Sequence, residues 1–439
     1  MSTDTTVIAP LTAEPPNRSI EDAIYARVTR HWIPFLFFCY ICAYIDRANV
    51  GFAKLQMASD LKLSNTVYGI GAGIFFLGYF AFEVPSNIIM HRVGARRWIA
   101  RIMITWGIIS GAMFFVRGEW SFCTLRFLLG VAEAGFLPGI ILYLTYWYPS
   151  TRRAKMVALF MLAVPVANIA GGLFSGWIMR AFDTTAGLPG WKWLFILEAV
   201  PSVVMALVVW NYLADNIRQC SWLAEDEKVL LERNLQNDSR TVVKHSLGNA
   251  FGDPRVWLLA AIYFLLNIGQ YGMLFWIPTI IKNMGYQDTF HIGLLSDIPY
   301  VVAMVAMIVI SRSSDKHLER RWHLAIPATI SGIGLVAATA FSGNPLVAMT
   351  GLSLGMAGLL GTIPTFWCLP SAFLGGVAAA AAIALINAIG SISGFVGPTF
   401  YGLMKDLTGS SNGAMYLFAL LGTLGGFLAF LMPAQPVKS

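Results

Sequence analysis

Four ionisable residues stand inside long apolar stretches of this 439-residue chain. Asp46 and Arg47 are adjacent in one stretch, and Arg126 and Glu133 share another. A charged side chain at the centre of a membrane span costs about 2.5–3.5 kcal/mol on insertion scales, so such residues must face a cavity or one another. Two guanidinium groups in a cavity could bind a carboxylate, while an acid could exchange its arginine partner for a proton. The pattern therefore predicts an anion site with acids that couple to protons.

The spacing of the four residues supports a common site. Arg126 and Glu133 are seven residues apart, which places them two turns apart on one helix face. At about 1.5 Å per residue, Arg47 and Arg126 lie at a similar depth, roughly 22 Å from one membrane surface. With the site empty, we expect Asp46–Arg47 and Glu133–Arg126 pairs. The alternative is a set of fixed salt bridges that join the two helices, but buried ion pairs are weak stabilisers.

Further polar residues at similar depth are candidates for lining the same cavity. Taken singly, each is better explained as a hydrogen bond between helices. As a group, we predict that they contact the substrate together with Arg47 and Arg126. They are Tyr44, Tyr79, Asn168, Asn267, Gln270, Trp367 and Asn387, and Tyr271 lies beside them.

The composition defines the kind of protein that positions these side chains. Hydrophobic residues make up 57% of the chain, charged residues only 12%, and the mean hydropathy is +0.65. Soluble globular chains have roughly 25% charged residues, so a soluble enzyme and a disordered chain are both excluded. The predicted fold is an all-α polytopic membrane protein. The net charge of +7 is explained by basic loops of such a protein, and we predict no nucleic-acid partner.

Twelve apolar stretches are long enough to cross a bilayer. They lie at about 32–53, 66–89, 98–116, 121–147, 154–179, 190–213, 256–281, 293–311, 324–342, 345–369, 377–402 and 411–432. Similar basic turns follow the second stretch of each half, which indicates two pseudo-symmetric six-helix bundles. The predicted divisions are a tail at 1–30, a bundle at 31–213, a loop at 214–252, a bundle at 253–432 and a tail at 433–439.

The distribution of basic residues predicts the orientation. With the amino terminus inside the cell, inner loops and tails hold 21 Lys and Arg residues, whereas outer loops hold seven. This bias places both termini in the cytoplasm. In the central loop, a short helix is predicted after Trp222 and Leu223, whose apolar face could rest on the membrane surface.

No motif indicates a cofactor or a metal. The six histidines lack paired spacing, and four of the five cysteines lie in apolar segments, so neither a metal site nor a disulfide framework is predicted. No nucleophile–base pair lies in a span, and the longest loop is too short for an output domain. An enzyme and a membrane sensor are therefore disfavoured.

Three sequence strings resemble the anion:cation symporter family of the major facilitator superfamily. They are Asp46–Ala53, Gly130–Gly139 and Gly190–Glu198, and the run Ile386–Gly390 is also similar. Ser314–Lys316, Arg320–Arg321 and His323 look closest to the branch of hydroxyphenylacetate, tartrate and phthalate permeases. The resemblance implies alternating access and proton-driven uptake of an organic acid, with Arg47, Arg126 and Glu133 as anion and proton sites beside Asp46.

The resemblance also implies a gate in each basic turn. The gating residues carried over are Arg92, Gly94, Arg96, Asp315 and Lys316. The first turn has His91 where the superfamily motif usually has an acid, which weakens the expected charge relay. We expect a monomer in the bacterial inner membrane, with an organic anion, protons and lipid as partners. The alternative function is export by proton antiport, but cation exporters need acids without partner arginines, and here the numbers of both are equal.

Overall fold

The computed structural model describes residues 18–241, 252–373 and 376–432. Within these ranges, twelve spans are long and apolar enough to cross a membrane, and the secondary structure is helical throughout. All twelve overlap the predicted stretches. The predicted tail at 433–439 and residues 1–17 of the predicted amino-terminal tail lie outside the described residues.

The first six spans contain eight helices, because the fourth and fifth spans are each broken once. They are α1 (Arg18–Asp60), α2 (Asn65–Val93), α3 (Ala95–Ala112), α4 (Glu119–Glu133), α5 (Phe136–Thr145), α6 (Ser150–Met161), α7 (Ala163–Ala181) and α8 (Gly190–Tyr212). The first helix begins earlier than predicted, so the expected tail boundary at residue 30 falls within α1.

One helix precedes the last six spans. It is α9 (Glu225–Thr241), and the spans are α10 (Pro254–Asn283), α11 (Thr289–His317), α12 (Trp322–Ala340), α13 (Pro345–Phe373), α14 (Gly376–Thr408) and α15 (Asn412–Leu428). The molecule is therefore two six-span halves, and the predicted all-α fold is confirmed.

Among the described residues, the most extensive contacts between the halves join α2 with α14, α7 with α11, and α1 with α10. Small residues allow this close approach, as is usual between membrane helices. A Cβ atom added at Gly69 would lie 2.4 Å from the Pro398 carbonyl oxygen, and one at Gly176 would lie 2.6 Å from that of Thr289. These backbones touch, so any larger side chain would separate the halves.

An even number of spans places the first and last helix ends on one surface, here called the terminal face; the opposite surface is the distal face. Polar contacts join the halves at the distal face. The Asp406 carboxylate accepts hydrogen bonds from the backbone N–H and side chain of Asn65 and of Thr66 at 2.7–3.2 Å. Lys282 Nζ donates to the Leu55 carbonyl at 2.9 Å. The molecule is thus closed at its distal face.

Helix α9 packs on the terminal face of the first half. Arg27 pairs with Glu227 at 2.5 Å, and Asn234 donates to Glu21 Oε1 at 3.2 Å. Leu223 and Leu231 are buried. The prediction that the apolar face of this segment rests on the membrane is therefore wrong, because that face packs against the protein itself.

Candidate functional site

Asp46 points into the first half, away from its neighbour Arg47, because successive residues of a helix face different directions. Its Oδ1 accepts a hydrogen bond from the Ser110 hydroxyl at 2.7 Å. Its Oδ2 accepts from Ser202 Oγ at 2.7 Å and from Trp106 Nε1 at 3.1 Å. The expected Asp46–Arg47 pair is wrong, since donors from α3 and α8 occupy both carboxylate oxygens.

Arg47 instead pairs with Glu133 across the boundary between α1 and α4. The Arg47 Nη2 donates to Glu133 Oε1, and both side chains are at most 7% exposed. Glu133 is the last residue of α4, and Gly135 follows with φ +86°, a left-handed conformation that favours glycine. The break in the fourth span therefore places this carboxylate at a helix end, within reach of α1.

Arg126 has no carboxylate partner among the described residues. Its Nε donates to the Gly71 carbonyl at 3.3 Å and its Nη2 to that of Ala72 at 3.1 Å, both on α2. The side chain is fully buried, and Nη1 lacks a hydrogen-bond partner in the described part of the chain. The expected Glu133–Arg126 pair is wrong, because Arg47 occupies Glu133. An anion could accept a hydrogen bond from the free donor of this buried guanidinium group.

Aromatic rings surround the two arginines. The Phe75 ring centroid lies 5.0 Å from Arg47 Cζ and 5.2 Å from Arg126 Cζ. Tyr44 and Tyr79 lie 4.8 and 5.6 Å from Arg47 Cζ. Such ring contacts stabilise a desolvated cation. The two arginines therefore both lie close to the Phe75 ring.

The predicted polar residues of the second half divide into two groups. Asn387 Nδ2 on α14 donates to Glu83 Oε1 on α2 at 3.1 Å, which connects the two halves. Trp367 packs against the Tyr263 ring at 4.9 Å, and Asn267 Nδ2 donates to the Tyr263 carbonyl at 2.9 Å. The second group thus surrounds Tyr263 rather than the arginines.

Three further positions lie at the boundary between the halves. Asn168 Nδ2 donates to the Val164 carbonyl on its own helix at 2.8 Å, and its side chain lines a small cavity with Ala48 and Tyr300. Gln270 is buried on α10. The Tyr271 ring lies 4.5 Å from that of Phe76 on α2. These residues occupy the seam between α1, α2, α7 and α10.

The predicted gate of the first half is held by an acid outside the motif. Gly94 has φ +96°, and the Arg96 backbone N–H donates to Asp215 Oδ1 at 2.8 Å. A Cβ atom at Gly94 would lie 3.0 Å from the same oxygen. The superfamily motif usually has an acid at the position of His91, and here Asp215, just after α8, supplies a carboxylate to the turn instead. The Arg92 side chain is exposed.

The predicted gate of the second half is the turn between α11 and α12. Asp315 pairs with Arg320 at 2.7 Å, and Lys316 is exposed. Glu319 accepts hydrogen bonds from the backbone N–H groups of Trp322 and His323 at 2.9 and 3.3 Å. Burial opposes ionisation, but these donors hold the pKa of Glu319 below its ordinary value.

In the described ranges, no group of three His, Cys, Asp or Glu side chains is arranged to hold a metal ion. The free cysteines include Cys39 and Cys42, which are buried in α1. The chemistry available at the centre is therefore ion pairing, hydrogen bonding and proton transfer.

Comparison with known proteins identifies the class. The family description of the Major Facilitator Superfamily matches residues 36–398, so the chain belongs to that superfamily of membrane transporters. A solved inward-facing bacterial homologue of the lysosomal transporter Spinster has the same fold, with a TM-score of 0.76 at 16% identity over 92% of this chain and 96% of that one. The protein is thus a transporter and not an enzyme.

Relatives in bacteria narrow the branch. NicT of Pseudomonas putida, assigned to metabolite transport, is 47% identical over 95% of this chain and 96% of its own. A protein of Agrobacterium vitis assigned to tartrate transport is 44% identical, with the same coverage. A quinolone resistance transporter of Acinetobacter baumannii is 39% identical over 94% of this chain and 96% of its own. These relatives fit the anion:cation symporter branch.

Sequence reasoning missed several residues at the seam. Phe75 lies between the arginines but carries no charge that would attract notice. Glu83 was not among the predicted site residues, yet it accepts a hydrogen bond from Asn387 of the second half. Asp297 on α11 is a further buried ionisable residue inside a span, and the cost of a charge within the membrane applies to it as it does to the residues of α1 and α4.

Proposed function

We propose that the protein carries a small organic carboxylate together with protons into the cell by alternating access. The substrate class is an aromatic acid, a hydroxy-dicarboxylate such as tartrate, or a sugar acid. The observation that supports this most is the fully buried Arg126, whose Nη1 has no hydrogen-bond partner among the described residues. An unpaired buried cation is unfavourable, and a carboxylate ligand would relieve it.

The ion pair between Arg47 and Glu133 provides the coupling. When a substrate carboxylate binds Arg47, the Glu133 carboxylate loses its partner in a buried environment and takes up a proton. Release of the substrate on the other side lets Arg47 return, and the proton leaves. Asp46, held by two hydroxyl groups and an indole, is the candidate for a second proton.

The surrounding residues would select the substrate. Tyr44 and Tyr79 flank Arg47, and Asn387 faces this region from the second half through Glu83. Asn168, Asn267, Gln270 and Trp367 remain proposed substrate contacts of the open cavity. The glycine and charged residues of the two turns, including Arg92 and Lys316, remain proposed gating residues.

The orientation follows from the basic loops. We place both termini in the cytoplasm of a bacterium and the protein in its inner membrane as a monomer, because the terminal face carries the excess of Lys and Arg. The distal face then faces the periplasm. We keep the division into bundles at 31–213 and 253–432 as the proposed domain limits.

Export by proton antiport is the second candidate, because one relative is a quinolone resistance transporter. The direction of the driving gradient separates the two functions. A carboxylate library is first tested for an increase in the melting temperature of the purified protein, since a ligand stabilises the state that binds it. The carboxylate that binds is then offered to proteoliposomes with a proton gradient. Symport predicts accumulation on the alkaline side, whereas accumulation on the acidic side would establish antiport.

Substituting the coupling acid separates transport from accumulation. Glu133→Gln cannot exchange a proton, so we expect it to exchange labelled for unlabelled substrate across loaded vesicles without concentrating it. Glu119→Gln changes an exposed glutamate at the start of the same helix and serves as the control. Gradient-driven accumulation by Glu133→Gln at the wild-type level would remove Glu133 from the coupling mechanism.

A further inference from the structure

Asp297 is buried at the contact between the two halves. It lies on α11, it is 8% exposed, and it faces Gly172 on α7. A Cβ atom added at Gly172 would lie 1.7 Å from Asp297 Oδ1, so the carboxyl group packs directly on the α7 backbone. Oδ1 has no hydrogen-bond partner in the described part of the chain, although the Leu173 backbone N–H approaches the carboxyl group.

Charged neighbours do not compensate this carboxyl group. Tyr300, one turn away on the same helix, is close enough to interact with it electrostatically, and α13 contains no acidic or basic residue over its length. At the distal ends of the helices, Arg180 pairs with Asp288, which also contacts His291.

The ionisable side chains of the adjoining helices have partners other than Asp297. On α1 and α10, Lys54 Nζ donates to Asn65 Oδ1 at 3.2 Å and Lys282 Nζ donates to the Leu55 carbonyl. Also on α1, Arg47 pairs with Glu133, and Asp46 has three donors of its own. On α12, His323 lies at the terminal end and contacts Glu319. In the part of the chain that the structure describes, Asp297 thus has no cation beside it that could balance a negative charge.

We propose that Asp297 is a proton-binding site that must be occupied for the distal face to close. An ionised carboxylate buried without a partner is strongly unfavourable, whereas the neutral acid can pack against Gly172. Separation of α7 from α11 would expose the carboxyl group to water and let it ionise. Acidity on the distal side therefore favours the closed face.

This proton differs from the coupling protons of the central site. It binds when the distal face closes and returns to the same side when that face opens, so it is not carried across the membrane. The inference requires only that the halves rock, and it does not depend on the proposed carboxylate symport. It predicts a dependence on distal pH that is separate from the proton-to-substrate ratio.

The test measures opening of the distal face against pH. Nitroxide labels on cysteines placed at the exposed Thr185 and Gln287 report the distance between the distal ends of α7 and α11, in a background with the five native cysteines replaced. For the wild type in nanodiscs, we expect the ratio of open to closed molecules to rise with pH, by up to about tenfold per unit for one proton.

The variants decide whether Asp297 is responsible. Asp297→Asn is neutral at every pH, so its open fraction should be small and the slope of its pH response should be lower by about one proton. Glu119→Gln removes an exposed carboxylate at the distal start of α4, away from the α7–α11 contact, and should titrate like the wild type. Equal slopes in Asp297→Asn and the wild type would overturn the proposal, as would a pH-independent wild type.

A measurement on the unaltered residue covers the case of a variant that does not fold. Infrared spectroscopy of the wild type detects the carbonyl stretch of a protonated carboxyl group. Gly172→Leu, which wedges the contact apart, should reduce that band at neutral pH, and Glu119→Gln should not. A band of unchanged intensity in Gly172→Leu would show that closure does not hold the proton.

Discussion

At the scale of single residues, the decisive feature is the difference between the hydrogen-bond partners of the two buried arginines. Arg47 has a carboxylate partner, whereas Arg126 has only two carbonyls of α2 and one free donor. Desolvating a guanidinium group without a counter-ion is unfavourable, so a buried arginine of this kind indicates a functional site. The substrate carboxylate is therefore expected to accept a hydrogen bond from Arg126 Nη1 and to compete with Glu133 for Arg47.

Replacing Arg126 tests this expectation. We expect Arg126→Ala to reduce carboxylate binding at least tenfold, because a hydrogen bond to a charged group contributes about 1.5–3 kcal/mol. Binding is measured by calorimetry, with a melting curve to show that the variant is folded. Arg117→Ala removes an exposed arginine just before α4 and should bind normally. Unchanged affinity in folded Arg126→Ala would exclude this arginine from the site.

The sequence predicts which residues are important more reliably than it predicts their partners. Asp46, Arg47, Arg126 and Glu133 stand out because a span excludes unbalanced charge. Their pairing depends on side-chain directions: Asp46 turns towards Ser202, which is distant in sequence. Adjacent charges in a helix face different sides, so the nearest opposite charge along the chain was the wrong partner.

At the scale of helices, the site depends on the close approach of α2 and α4. A Cβ atom at Gly130 would lie 1.9 Å from the Phe75 carbonyl oxygen. This contact positions the Phe75 ring between the arginines and brings the carbonyls of Gly71 and Ala72 to Arg126. Backbone contacts of this kind are typical where small residues face one another in membrane helices.

Enlarging Gly130 should therefore damage a site that it does not touch. Gly130→Ala pushes α4 away from α2, and we expect carboxylate uptake into proteoliposomes to fall at least tenfold because overpacking typically costs about 1–3 kcal/mol. Gly118→Ala precedes the same helix, and no atom lies within 4 Å of its added Cβ, so it is the matched control. Equal uptake by the two variants would contradict this view of the α2–α4 contact.

The turn between α11 and α12 gives a prediction that depends on pH. Because hydrogen bonds hold the pKa of Glu319 below its ordinary value, the carboxylate stabilises the turn above about pH 4.3, and this contribution is lost as pH falls through the lower folded value. Glu319→Gln should speed hydrogen exchange of the Trp322 and His323 amides about fivefold at pH 7, as for the loss of a helix cap.

Lowering the pH provides a control for the Glu319→Gln variant, because it neutralises the same carboxylate in the wild type. As pH falls towards the folded pKa of Glu319, the wild type loses the carboxylate and should approach the variant in exchange, after correction for intrinsic rates. Glu119→Gln, far from the turn, should leave both amides unchanged. A difference that persists undiminished in acid would contradict the assignment of the effect to ionisation.

Helices were easier to predict than their irregularities. Long apolar stretches defined the twelve spans, since hydropathy alone determines what crosses a bilayer. The break before Phe136 could not be located, because it depends on the positive φ of Gly135 and on contact with Ser86 of α2. Nor could docking of α9 be foreseen, because it depends on partners such as Glu21 and Ser150.

At the scale of the whole molecule, the structure is closed at the distal face by α2–α14 and α7–α11 contacts. Opening must separate these glycine-lined pairs while the pair of Arg47 and Glu133 stays within the first half. The ion pair proposed for proton coupling thus lies within one half, whereas the contacts that close the distal face lie between the halves. Proton coupling at Glu133 and distal closure at Asp297 can accordingly be altered independently.

The number of acids that bind a coupling proton predicts the net charge that crosses the membrane with each substrate molecule. A monoanion with one proton carries no net charge, whereas a second proton on Asp46 would make uptake electrogenic and add about 2.3 kcal/mol per 100 mV. We expect a monoanionic substrate to produce a current on a solid-supported membrane, and Asp46→Asn to abolish it. Verified uptake without current in the wild type would refute coupling to two protons.

The most direct test of the central claim measures the protons taken up when the carboxylate binds. Purified protein in weakly buffered detergent, with a pH indicator, is mixed with saturating substrate at a pH where the substrate stays ionised. Because substrate displaces Glu133 from Arg47, we predict net proton uptake by the wild type and a loss of that uptake in Glu133→Gln that still binds. Saturable binding to the wild type with no proton uptake would contradict the account.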